Sequence, residues 1–407
     1  MSQLGPGRPA IVAAAERIRD GIVATPCTQT RAFGDVAAGS HHLKFENLQR
    51  TGSFKDRGSL NRLLQLSPDE RARGVVTASA GNHAQALAYH GRRLGIPVTV
   101  VMPENAPLTK VVNTRGFGAR VIQSGTILDD AAVVANRLVE EESLVMVPAF
   151  DDHAVIAGQG TIGLEILEQV PNLNLLVVPL GGGGMISGIA QAVKEVKPSV
   201  RIVGVEADAA ASAMASRAAG EVVKIAHSDT LADGIATKRV GDLTFPMIEH
   251  YVDDLVSVGE EEIAAAILLL LERKKTVVEG GGAVGVAALM TDRIRVAEDD
   301  TAVFVLSGGN IDINMISRII DRGLVFDGRL VRLSVTVKDR PGSLAGLSRA
   351  VADMGGNVLE TVHRRAFADI SVGDVGIVIQ METRGREHAE EIVRGLEALG
   401  HRVEQAN

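Results

Sequence analysis

Between residues 74 and 307 the chain returns repeatedly to short Val/Ile/Leu runs, with longer stretches of helical spacing between them. "GVVTAS" (74–79) leads into "NHAQALAYHGRRLG" (82–95), and "VTVVM" (98–102) follows. A helical pattern near 108–116, "ARVI" (119–122), another helical pattern over 129–142 and "LVMVP" (144–148) continue the alternation. It resumes with "LLVVP" (175–179), "RIVGVE" (201–206) and "AVFVLS" (302–307). Strands that are apolar on both faces and separated by helices fit a parallel sheet covered on both sides. The pattern predicts an α/β body of two subdomains, a smaller one at 42–150 and a larger one from 1–41 and 151–322.

The text changes after 328. A strand ("LVRLSVTVKD"), a helix ("PGSLAGLSRAVADMG"), two strands ("NVLETVHRR" and "VGIVIQMET"), a helix ("GREHAEEIVRGLEALG") and a last short strand ("HRVEQ") follow in order. That βαββαβ order predicts a ferredoxin-like domain at 329–407. It holds eleven basic and eleven acidic residues, so the chain's net charge of −8 lies in the body. An acidic chain with no Trp and two Tyr lacks the basic patch and stacking rings of a nucleic-acid binder. Cys27, the single cysteine, suits a reducing cytoplasm. The longest apolar stretch, Ile263–Leu271, is too short to span a membrane. The N-terminal helical pattern carries Glu16, Arg17, Arg19 and Asp20, unlike the apolar core of a signal peptide. A cytoplasmic protein without membrane partners is expected.

Candidate chemistry sits at the strand ends. "VVPLGGGGMISGIA" (177–190) is a strand, four glycines and a helix start, an arrangement whose backbone N–H groups can hold a phosphate. It lacks the Gly-Lys-Ser/Thr of a P-loop, and Ser187 stands where a dinucleotide fingerprint needs glycine. "EGGGAVG" (279–285) matches that fingerprint formally, but the strand read before it, "TVVE", ends in Glu279, which would face a pyrophosphate. "TASAGNHAQALA" (77–88) puts Ser79, Gly81, Asn82 and His83 at a strand–helix junction, where a helix cap is the simple alternative to a ligand site. "VLSGGNID" (305–312) ends a strand with Ser307, and an ordinary turn would account for it equally. With the isolated Lys55 of "NLQRTGSFKDRGS" (47–59), these loops together suit a phosphorylated aldehyde held as a lysine Schiff base, namely pyridoxal 5′-phosphate.

"KFENLQRTGSFKDRG", "SAGNHAQ", "IAGQGTIGLEI", "PLGGGGMISGIA", "TLADGIA" and "LSGGNID" resemble the type II pyridoxal-phosphate enzymes of the threonine dehydratase family, in the same order over residues 10–322. "VKDRPGSLAGLSRAVADMGGNV" (337–358) resembles an ACT regulatory domain, and a body with one such domain resembles the shorter, often catabolic members. The resemblance implies a lyase that deaminates L-threonine to 2-oxobutanoate, and L-serine to pyruvate, in threonine catabolism or isoleucine synthesis. It implies Lys55 as cofactor anchor and base, Phe54 beside the ring and Asn82 on the 3′-oxygen. Gly181, Gly182, Gly183, Gly184 and Met185 would hold the phosphate, and Ser307 the pyridine nitrogen. The loop of Ser79, Ala80, Gly81, Asn82 and His83 would grip the substrate carboxylate. An amino-acid effector would bind at Asp339, Arg340, Pro341, Gly342, Ser343 and Leu344, in a homodimer or homotetramer.

Rival readings start from single residues. Serine racemases of this fold resemble the chain but carry a serine base where Ala80 stands. They also carry a cation site where this chain has Glu206, Asp208 and Ser212. Asp56 after the lysine is similar to threonine synthase, while hydroxyaspartate ammonia-lyases generally lack the second domain. A non-catalytic amino-acid sensor is the alternative of another class.

Overall fold

A computed structural model describes residues 4–34, 37–365 and 371–405. The chain divides into two compact units, Met1–Asp312 and Ile313–Asn407. The first holds two sheets. The smaller orders its strands Arg120–Gln123, Val98–Met102, Val75–Ala78, Val145–Met146, all parallel. The larger runs Cys27–Thr30, Ser40–Phe45, Thr301–Leu306, Leu175–Pro179, Arg201–Ala207, Asp254–Val258. Only its first pair is antiparallel. Helices pack their apolar faces on these strands, and the central strands are buried throughout, as near-continuous apolar runs require.

Three strands of the larger sheet escape the apolar-run criterion. Ser40–Phe45 reads "SHHLKF", yet it lies parallel to Thr301–Leu306. The expected start of the smaller subdomain, residue 42, therefore falls inside a strand of the larger sheet. Cys27–Thr30 and Asp254–Val258 are edge strands, and Thr28, Gln29, Asp254 and Ser257 on them reach solvent at least in part.

In the second unit, a helix at Ile313–Phe326 precedes the βαββαβ set. The antiparallel sheet has the order Asn357–Arg364, Asp374–Glu382, Leu330–Lys338, Arg402–Gln405. Its core joins Leu333, Val335, Ile377 and Ile379 to Leu347 and Val351 of one helix and Ile392 and Leu396 of the other. Among the described residues, no helix is long and apolar enough to cross a membrane.

Candidate active site

Open parallel sheets bind ligands beyond the carboxyl ends of their strands, and four such ends matter here. The chain leaves Ser40–Phe45 through a short turn at Glu46–Leu48 and arrives at Lys55, the first residue of the helix Lys55–Leu64. Hydrogen bonds stitch the approach to the loop after Thr301–Leu306. The Phe54 N–H donates to the Ser307 carbonyl (3.0 Å) and the Gly309 N–H to that of Gly52 (2.9 Å). Gly52 is needed there, since its φ is +79° and a Cβ would lie 2.5 Å from Asn310 Oδ1. Asp56 closes the turn from below. Its Oδ2 accepts the Thr51 N–H at 2.8 Å, and Oδ1 lies 2.8 Å from His90 Nε2. The residue that hinted at threonine synthase is thus fully buried in the scaffold of the lysine.

Lys55 Nζ donates to the Ala149 carbonyl at 2.8 Å and stands 5.0 Å from the centre of the Phe54 ring. Burial pushes its amine down to about 8, against a partial opposing pull from Glu279. A buried ammonium costs desolvation energy, so burial raises the share of neutral amine above that of an ordinary lysine. Phe54 itself packs into the core of the larger sheet, in the cluster that also holds Met185.

The four glycines follow Leu175–Pro179 and open the helix Gly184–Lys194. A Cβ at Gly181 would come 2.8 Å from Ile235 Cα, at Gly182 2.4 Å from the Phe150 ring and at Gly184 2.8 Å from the Phe150 carbonyl. Gly183 has φ +93°, and a Cβ there would meet Thr244 Oγ1 at 2.7 Å. Packing therefore keeps the cradle bare, and the first-turn N–H groups of the helix carry its positive end. The Met185 side chain faces the core, so the residue offers the cradle only its backbone.

Ser79, Ala80 and Gly81 follow Val75–Ala78 and lead into the helix Asn82–Leu94. Ser79 Oγ accepts the Gly81 N–H at 3.3 Å, and a Cβ on Gly81 would meet only open space. His83 turns inward, with Nε2 3.0 Å from the Val147 carbonyl and Nδ1 3.4 Å from Ser59 Oγ. Burial, and next the charge of Lys55, push its imidazole down to about 3, so it stays neutral and can offer a ligand only its backbone. Ser307, 2% exposed, stands at the end of Thr301–Leu306.

Glu279 is the group that sequence reasoning passed over. "TVVE" is not a strand; Glu279 is the residue before the helix Gly280–Met290, and its carboxylate reaches Asn82 Nδ2 at 2.8 Å. Burial and the nearby Asp233 push its carboxyl up to about 7. A lone acid ending an apolar stretch was the available signal. The glycines behind it serve close packing, since a Cβ at Gly280 would meet the Leu231 carbonyl at 2.5 Å. Glu206, in contrast, caps a helix: its two oxygens accept the Ala213 and Met214 N–H groups at 2.8 Å each.

An amine held near neutrality, a bare anion cradle and polar groups on adjacent strand ends fit pyridoxal phosphate. A model of pyridoxal-phosphate-dependent enzymes matches residues 18–308. The chain belongs to that family. An L-threonine ammonia-lyase of Thermotoga maritima is 48% identical over 93% of this chain and 94% of its own length. A catabolic L-threonine dehydratase of Escherichia coli is 41% identical over 76% of this chain and 94% of its own. The structure of maize serine racemase superposes with a TM-score of 0.74 at 34% identity, covering 79% of this chain and 98% of that one.

Proposed function

We propose that the chain deaminates L-threonine to 2-oxobutanoate and ammonia, and L-serine to pyruvate, with pyridoxal phosphate resident at Lys55. When bound, that group supplies an electron sink for a substrate joined to it through its amine. The N–H groups at Gly181–Gly184 hold the phosphate, and the Ser79–His83 loop with its helix N-terminus holds the substrate carboxylate. So anchored, the substrate presents its Cα proton to Lys55 Nζ. The depressed basicity of Lys55 leaves about a tenth of the amine neutral at pH 7, and an ordinary lysine far less. Nζ takes the Cα proton, hydroxide departs from Cβ and is protonated to water, and a water then hydrolyses the released enamine to the 2-oxo acid and ammonia. Holding the reacting bond in one orientation supplies much of the acceleration. Ser307, a neutral partner, leaves the ring nitrogen less charged than a carboxylate would, which favours prompt loss of the β-substituent.

The observation that carries this reading is the Lys55 amine, its basicity lowered by burial, at the first turn of its helix among these strand ends, while the Ser79–His83 loop carries Ala80, packed on the apolar core, before Gly81. Assays with L-Thr, L-Ser and D-Ser test it. We expect 2-oxo acid from the L substrates and no appearance of D-serine from L-serine; racemisation faster than deamination would overturn it. A second expectation concerns pH. Cofactor capture needs the neutral amine, so the capture rate of apoprotein should rise as pH rises through about 8 and level off above it. A rate already flat from pH 6 would mean the amine is not the titrating group.

We further infer that the second unit regulates the first through an amino-acid effector bound at Asp339–Leu344. Two observations support this: Asp339 pairs with Arg365 at 3.1 Å, and Gly342, at φ +92°, opens the helix Ser343–Asp353 onto free space. Asp339→Ala in the full chain should abolish the response to isoleucine or valine while the rate without effector stays unchanged. A response of wild-type size would overturn it.

A further inference from the structure

Asn82 lies between two side chains outside the sequence-derived site. Its Oδ1 accepts from Asn310 Nδ2 at 2.8 Å, and its Nδ2 donates to Glu279 Oε1 at 2.8 Å. Asn310 Nδ2 also donates to the Thr51 carbonyl at 2.7 Å. The polarity of this chain of bonds is set at its far end. A backbone carbonyl can only accept, so Asn310 must turn its NH2 toward Thr51, and that same NH2 then faces Asn82. Asn82 must answer with Oδ1, which leaves its NH2 directed at Glu279. One Nδ2 hydrogen goes to the carboxylate and one remains, with its direction fixed.

Packing holds the carboxylate in place as firmly as the hydrogen bond does. A Cβ on Gly308 would lie 2.3 Å from Glu279 Oε1, and one on Gly234 2.9 Å from it, so two glycines make the space the carboxylate fills. The Glu279 N–H donates to the Gly308 carbonyl at 3.0 Å, tying its backbone to the same loop that carries Ser307.

We propose that Glu279 and Asn310 are positioning residues that lock the Asn82 amide, so that its remaining N–H is aimed at the 3′-oxygen of the cofactor. This rests on the reading of Asn82 as the residue at that oxygen. A lock of this kind removes the amide's freedom to turn over before the cofactor arrives, which makes the hydrogen bond preorganised.

The test is a double-mutant cycle in the holoenzyme, reading kcat, KM, the absorbance maximum of the bound cofactor and its dissociation constant. Glu279→Ala should lower kcat about ten- to hundredfold, the cost of losing a hydrogen bond to a charged group. It should also shift the absorbance maximum, with KM little changed. Glu279→Gln keeps an acceptor at Oε1 and should recover most of the loss. In an Asn82→Ala background the same Glu279→Ala change should cost no more than roughly twofold, since there is no amide left to orient. Asn310→Ala provides a second arm, with the same absorbance shift and the same masking by Asn82→Ala. Additive losses in both arms, or Gln as damaging as Ala, would overturn the lock. Asn82→Ala with wild-type absorbance and affinity would instead overturn the assignment of Asn82, and the lock with it.

Discussion

Lys55→Ala is expected to lower turnover of L-threonine by roughly a hundred- to ten-thousand-fold, the range for removing a positioned general base. It should also abolish the visible absorbance of the lysine-linked cofactor, because among the described residues no other lysine opens a helix at these strand ends. Lys55→Arg separates charge from chemistry. A guanidinium stays protonated, cannot form the link and cannot accept a proton, so it should be as inactive as alanine. The fold should survive both changes. The Nζ group makes one hydrogen bond, to the Ala149 carbonyl, and the helix Lys55–Leu64 is held by Asp56 and Arg57 instead. Ammonia release at wild-type rate by the purified Lys55→Ala protein would refute the proposed role, and no release by the wild-type protein would favour the sensor reading.

The fold was legible where apolar runs are unbroken and illegible where buried charge interrupts them. Val98–Met102, Leu175–Pro179 and Thr301–Leu306 are buried at every position and stand close to their expected bounds. "SHHLKF" fails the same criterion because Lys44 occupies it, and Lys44 is fully buried only because Glu165, the Thr25 carbonyl and Gln169 receive its ammonium. Glu165 and Gln169 lie 121 and 125 residues along the chain, so no local pattern announces them. The "EGGGAVG" run, set aside as a dinucleotide site, owes its glycines to a related cause. Its glycines lie within a helix and let it approach Leu231 and Gly308, a tertiary requirement that looks like a loop in one dimension.

The candidate site divides the same way. Lys55, the glycine cradle and Ser307 stand at junctions that local patterning marks, each beside its own strand or helix. Glu279 and Asn310 reach Asn82 across sequence separations of 197 and 228 residues. Asp56, the discordant letter of its motif, is explained by Thr51 and by His90 from another helix. What local sequence carries is the chemistry of a residue; what it omits is the partner that fixes the residue's orientation.

The second large effect is expected at Arg57, two residues beyond the lysine. Its fully buried guanidinium donates from Nε and Nη2 to Glu46 (2.8 Å each) and from Nη1 and Nη2 to Glu165 (2.6 and 2.9 Å). With Lys44 on Glu165, two cations face two carboxylates and the cluster is neutral. Arg57→Leu leaves Glu46 with the Thr25 hydroxyl and the more distant charge of Lys44, and breaking a buried ion pair from one side costs about 3–5 kcal/mol of unfolding free energy. Burial pushes the Glu46 carboxyl up, but the charge of Arg57 more than reverses that and holds it below the ordinary range. Without the arginine the carboxyl should rise above its unfolded value. The variant's deficit should therefore be largest at neutral pH and shrink as pH falls and Glu46 protonates. Arg57→Leu with Glu46→Leu removes one charge of each sign and should recover much of the loss, since Lys44 and Glu165 still pair. Urea unfolding at two pH values measures all three points. A single variant within about 1 kcal/mol of wild type, or a double variant worse than the single, would show that the cluster does not hold this helix. The link to the proposed role of Lys55 is geometric: Arg57 and Asp56 hold the first turn of the helix on which Lys55 stands, so the cluster also holds the amine in place.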